Sequence, residues 1–227
     1  LLNHTSGLPR LPGNIELSGM APYDHYTIAH LFTYLKSCTP QAAGQSSYSN
    51  LGAGLAGVLA QRISGKTYNE LLREYIFHPF KIRPHPDESI NGTVNKSQGY
   101  FETVKADYWN ADALAPAGTL KCSANELLTY FQCMSNPING KSGQIINKLL
   151  QPTAPVAPGI NVCRAWHTKE ETNIPIIYWH NGGTYGFSSF GAFSRERNKA
   201  VIVVVNQFNR NTVSDALGLA IIKKMMQ

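Results

Sequence analysis

Two short clusters hold the groups best suited to chemistry: Tyr48-Ser49-Asn50 and, far downstream, His180-Asn181-Gly182-Gly183. The first offers a phenol and a carboxamide two positions apart; the second offers an imidazole followed by glycines. A phenol with a pKa of about 10 is a poor base at neutral pH and needs neighbouring cations to favour phenolate. An imidazole keeps a hydrogen-bond donor in either state but is charged only when protonated. On a strand, alternation would put His180 and Gly182 on one face, where glycine lets another backbone approach closely. Asn50 is also placed to cap a helix. Other constellations fail on spacing. Gly186-Phe187-Ser188-Ser189-Phe190 lacks the final glycine of G-x-S-x-G. With no H-x-x-x-H or C-x-x-C pair, no metal site is expected. His4 reads as a loop hydrogen-bonder, and His25, His30, His78, His85 and His167 as surface or satisfied residues. Tyr108, Trp109 and Tyr185 suit a pocket lining and ordinary packing equally well.

Helices come first along the chain. Residues 1–22 are rich in Gly and Pro and read as an extended loop. Ile28, Leu31, Phe32 and Leu35 share one face of a helix over 27–38. A second helix over 50–64 would turn Leu51, Leu55, Val58, Leu59 and Ile63 inward and stop at Gly65. Thr67 to Glu70 and Ser123 to Glu126 are capping boxes, opening a helix that Pro79 ends and another running through Met134. Residues 81–117 read as irregular and 152–158 as a proline-rich connector. The period then shortens: 174–180, 187–193 and 200–206 read as three strands, the last with the unbroken apolar run of a buried central strand. A terminal helix over 212–226 carries Val213, Leu217, Ala220 and Ile221 on one side. The layout is α+β: a helical and loop region over 1–158, then a three-stranded antiparallel meander and a closing helix over 159–227.

Composition sets the outer limits. Hydrophobic residues make up 43% and charged ones 15%, a balance that builds a core and excludes a disordered chain. The net charge of +6 is scattered, without the clustered footprint that nucleic acid needs. The apolar run 200–205 is too short to span a bilayer. The four cysteines, Cys38, Cys122, Cys133 and Cys163, are widely spaced and read mainly as buried thiols. Triplets at Asn3, Asn91 and Asn95 fit the glycosylation pattern, which arises often by chance.

Taken in order, His4-Thr5-Ser6-Gly7-Leu8-Pro9, Tyr48-Ser49-Asn50-Leu51-Gly52, Ile63-Ser64-Gly65-Lys66, Pro116-Ala117-Gly118 and the run from His180 to Ser189 form one pattern. It resembles the penicillin-recognising serine hydrolases of the class C β-lactamase group, with D-Ala-D-Ala carboxypeptidases and related esterases. Each motif alone is weak; all of them in register cover essentially the whole chain. The resemblance implies a β-lactamase/transpeptidase-like fold and an acyl-enzyme reaction without metal or organic cofactor. By that resemblance Tyr48 serves as general base and then acid, and Asn50 binds the substrate's own amide oxygen. His180, Asn181 and Gly182 line the substrate edge, and the Gly183 N–H is one oxyanion donor. Many relatives carry lysine where this chain has His180, which tilts the expectation toward carboxypeptidase and esterase branches.

The nucleophile of that family is a serine in S-x-x-K, and no serine of this chain has lysine three residues on. Thr33 to Lys36 and Thr93 to Lys96 have the spacing but begin with threonine. By the resemblance the nucleophile lies upstream of Leu1, so the chain is expected to be N-terminally truncated and inactive alone. Two readings stand: the larger part of a serine hydrolase acting on β-lactams, D-Ala-D-Ala peptides or esters, or a non-catalytic fragment binding a peptidoglycan-like ligand or partner chain. Expected partners are a small-molecule or peptide substrate, and either a complementing N-terminal segment or a second copy joined through strand 200–206. A periplasmic or extracellular location is implied by the resemblance alone.

Overall fold

The computed structural model describes residues 1–82, 96–136 and 140–227. The first helix, α1 (Ile28–Leu35), starts at Thr27, whose side chain accepts the His30 N–H. The second, α2 (Asn50–Ser64), is capped by Ser49 and ends at Gly65, whose φ of 69° suits glycine. Thr67 and Glu70 close a capping box ahead of α3 (Tyr68–Leu72), which runs into a π-helical turn, Arg73–Phe77. Ser123 and Glu126 do the same for α4 (Ala124–Ser135), and α5 (Gly140–Leu149) follows. The expectations at His85, Asn91, Thr93 and Asn95 fall outside the described residues, as does the part 83–95 of the irregular stretch expected over 81–117. What is described of that stretch includes a small hairpin, β1 (Gly99–Phe101) with β2 (Val104–Ala106), and a 3-10 turn at Ala115–Ala117.

The C-terminal part is larger than the sequence indicates. Six strands form one antiparallel sheet in chain order: β3 (Ala154–Ala157), β4 (Ile160–Val162), β5 (His167–Glu171), β6 (Ile174–Gly183), β7 (Ser188–Ser194) and β8 (Lys199–Val205). The three expected strands correspond to β6, β7 and β8, and the first two register as Trp179↔Ala192, His180↔Gly191 and Gly182↔Ser189. The proline-rich connector is corrected to a strand, because Pro155 sits on β3, at the end of the sheet where a missing N–H is tolerated. A terminal helix, α6 (Asn211–Met226), closes the chain.

Side-chain alternation along β6 builds two layers. Ile177 packs with Phe190, Ala192, Val201, Ile222 and Met226 under α6. Tyr178 packs on the opposite face with Phe131, Met134, Trp166 and Phe193 under α4. Burying each such ring stabilises the fold by about 1.5–3 kcal/mol. A third cluster joins the N-terminal loop, α1 and α2 through Leu8, Tyr26, Leu31, Leu51 and Leu114.

Three apolar expectations are corrected. The run at 200–205 belongs to β8, which has α4 on one face and α6 on the other but lies at the sheet's end. Cover on both faces removes the polar alternation without making a strand central. On α2, Leu51 and Val58 are buried, but Leu59 is 39% and Ile63 86% exposed. On α6 the buried positions are Ser214, Gly218, Ile222 and Met226, while Val213, Leu217 and Ile221 face outward. The small Gly218 allows this, because it lets the Phe190 ring lie directly against the helix.

Candidate active site

Tyr48 lies at the end of the loop that feeds α2, and three contacts fix that loop. The Ser49 N–H donates to Nδ1 of buried His4 at 3.1 Å. The Ser49 hydroxyl donates to the Pro9 carbonyl at 2.7 Å and accepts the Gly52 N–H at 2.9 Å. The Asn50 and Leu51 N–H groups donate to the Arg10 carbonyl at 3.0 and 3.3 Å. The orphan donors of the α2 N-terminus are thereby satisfied by the segment that follows His4. Asn50 is therefore the first residue of α2 rather than its cap. Its side chain is free for the cleft, where its amide donates to the Tyr23 hydroxyl at 3.1 Å.

β6 supplies the facing wall. The His180 ring centroid is 6.2 Å from that of Tyr48, and His4 stacks on Tyr48 at 4.3 Å. His167, at the start of β5, lies 5.8 Å from His180. The imidazole and the phenol are thus neighbours, although one sits before α2 and the other near the end of β6. The β5 ladder reaches Trp179 opposite His167 and goes no further. Residues 180–183 then pair with β7 alone among the described residues, which leaves a free backbone edge beside Tyr48.

The glycines serve this edge. A Cβ on Gly182 would come within 3.3 Å of Ser189 Oγ, and one on Gly183 within 3.2 Å of Asn211 Oδ1. The Asn211 amide donates to the Gly182 carbonyl at 2.9 Å, tying the strand end to α6. Asn181 is turned the other way: its amide donates to Asp215 on α6 at 2.7 Å. Its side chain therefore braces β6 against α6.

Electrostatics differ from the expectation for Tyr48. Burial raises its pKa; Arg10 opposes that rise, and Tyr23 adds to it. Burial also holds His180 below the usual histidine value. His4 falls to about 4 through burial and then the nearby His180 and His167, and His167 falls to about 4 through burial and then His180. His180 is thus a neutral donor near pH 7 rather than the cation that favours phenolate. His167 is not a satisfied residue, because its Nδ1 is buried without a hydrogen-bond partner.

Arg10, Tyr23 and His167 carry no signal in the sequence that marks them for the site. The Arg10 guanidinium carbon lies 5.2 Å from the Tyr48 ring centroid. Tyr23 leads through Trp109, at 4.7 Å, to Tyr185 at 5.5 Å, so Trp109 and Tyr185 continue the Asn50 side of the cleft. Trp109 is held by its Nε1–H donating to the Met20 carbonyl. Tyr108 stands apart, against Phe187. Among the described residues no group of His, Cys, Asp and Glu has metal-holding geometry, and the cysteines are unpaired.

The Beta-lactamase family model matches residues 1–224. No curated protein matches the chain. Among solved structures, a β-lactamase from Sulfitobacter sp. EE-36 superposes with a TM-score of 0.78 at 17% identity, over 100% of this chain and 70% of its own. A β-lactamase/D-alanine carboxypeptidase from Yersinia pestis gives 0.73 at 19%, over 100% and 68%. An octameric penicillin-binding protein homologue from Pyrococcus abyssi gives 0.76 at 18%, over 97% and 54%. At such identities the superpositions speak for the fold, and they agree with the α+β arrangement. With the family model extending across nearly the whole sequence, the chain belongs to the β-lactamase family of penicillin-recognising serine hydrolases.

Proposed function

We propose that these residues form the proton-transfer and substrate-edge part of an acyl-enzyme hydrolase acting on β-lactams, D-Ala-D-Ala peptides or small esters. One observation carries the reading: Tyr48 and His180, remote in sequence, lie with ring centroids 6.2 Å apart. In this scheme a serine from outside these 227 residues attacks the carbonyl, Tyr48 takes its proton, and the Gly183 N–H steadies the oxyanion. Asn50 holds the substrate amide while the free β6 edge pairs with extended ligand backbone. Tyr48 then gives that proton to the departing amine or alkoxide, and in the second half water attacks the acyl ester while its proton passes through Tyr48 to the leaving serine oxygen. Asn181 acts behind the wall through Asp215.

In a second reading the chain binds such ligands without turning them over. Chromogenic cephalosporin and nitrophenyl ester assays separate the two. The isolated chain is expected to be silent. Adding a family segment that carries S-x-x-K should give turnover that drops by at least about a hundredfold in Tyr48→Phe. Turnover by the isolated chain would refute the assignment of the nucleophile elsewhere. Silence of the complemented protein, with ligand still bound, would favour the binding reading. An extracytoplasmic location is part of the same proposal.

A further inference from the structure

The side chains around Tyr48 differ in what charge they hold at neutral pH. His4, His167 and His180 are each held below the ordinary histidine value, with burial the largest cause, and so are neutral. Arg10 is exposed, and a guanidinium stays charged throughout the working pH range. Its main chain is fixed, since its carbonyl accepts both the Asn50 and the Leu51 N–H. Its side chain lies against the Tyr48 ring, and its field acts on Tyr48 and Tyr23 together. Tyr23 in turn receives the Asn50 amide. The cation thus stands beside Tyr48 and acts on Tyr23, the phenol that holds the Asn50 amide.

Among the described residues no carboxylate forms an ion pair with that cation. The ion pairs among the described residues join Lys66 to Glu74, and Lys169 and Lys223 to Glu171, leaving Arg10 without a carboxylate. We propose that Arg10, seated against the Tyr48 ring, recognises a carboxylate of the ligand at this site. The proposal rests on the reading of the cleft as a hydrolase site and names its ligand chemistry: an acyl peptide or lactam bearing a free carboxylate. A planar guanidinium takes a carboxylate through two parallel N–H···O bonds, which gives direction as well as attraction.

N-acetyl-D-Ala-D-Ala and its C-terminal amide, titrated calorimetrically into the 227-residue chain, form the test. At about pH 8 and about pH 5 the ligand carboxyl is ionised, because its pKa is about 3.5. The acid is expected to bind about tenfold more tightly than the amide at both pH values. That advantage should shrink in high salt, and Arg10→Gln should bring the two affinities to within about twofold. An acid preference present only at pH 5 would move recognition to a histidine and overturn the proposal, and it is read on the unaltered chain. Equal affinities, or a preference that Arg10→Gln leaves intact, would also overturn it while keeping the cleft as a ligand site. Binding of neither compound would overturn the hydrolase reading with it.

Discussion

At Tyr48 two effects oppose each other: burial favours the neutral phenol, and Arg10 favours the phenolate. Burial is the larger, so the phenol is held neutral, and under the proposed function the further cation it needs is the lysine of S-x-x-K. The histidines nearby show the same rule with the other sign. His4 and His167 titrate at about 4 in the folded chain and near the ordinary 6.5 when unfolded. A depressed folded value means that the unfolded chain takes up protons first on acidification. Stability from these groups is therefore complete above about pH 6.5 and lost progressively down to about pH 4. Thermal melting should show a falling midpoint across that window, and replacing both with glutamine should flatten the fall. Below about pH 4 both states are protonated, and no further loss comes from this source.

Among the elements, the helix starts and the order of the last strands were legible from the sequence, while the depth of packing was not. Ser49, Thr67 and Ser123 mark helix entries because their side chains bond the backbone locally, and such signals do not depend on distant contacts. β3, β4 and β5 lack this advantage: they are only three to five residues long, and register shifts at Pro155/Ala157 and Lys169/Glu171 interrupt the alternation that marks a strand. The inward face of α6 was hidden for a related reason. Its buried positions are small or polar as often as apolar, so the apolar stripe marks the exposed side. Close approach at a glycine explains much of this. A Cβ on Gly191 would fall 2.2 Å from the Phe131 ring, a contact that forces α4 away from the sheet. Gly191→Ala should cost about 1–3 kcal/mol in a denaturant titration, with β6 and the neighbouring site loosened as well. At the site, the motif residues Tyr48 and His180 were readable, but Arg10 and Tyr23 enter through tertiary contacts alone.

For the whole molecule, the sheet has an end that no described element pairs. β8 meets β7 on one side, and Val204 is 47% exposed. Leu217, Ile221 and Met225 of α6 lie on the flank opposite to Asp215 and Lys223, which reach β6 and β5. An apolar edge with an apolar overhang invites a further strand, from a complementing segment or a second copy. Sedimentation of the 227-residue chain should accordingly show concentration-dependent association, weakened in Val204→Lys. A monomer at all concentrations, with the edge open, would rule out the self-association reading.

The early end of the β5 ladder has one more consequence. Where β5 has already turned away, residues 180–183 have a strand on one flank alone. Their outward-facing amide protons should trade with deuterium sooner than those of Tyr178 and Trp179, which sit between two strands. An extended ligand lying along that flank would slow the trade at these few positions and leave the rest of the sheet unchanged. The timing of isotope uptake would then map where on β6 the ligand lies.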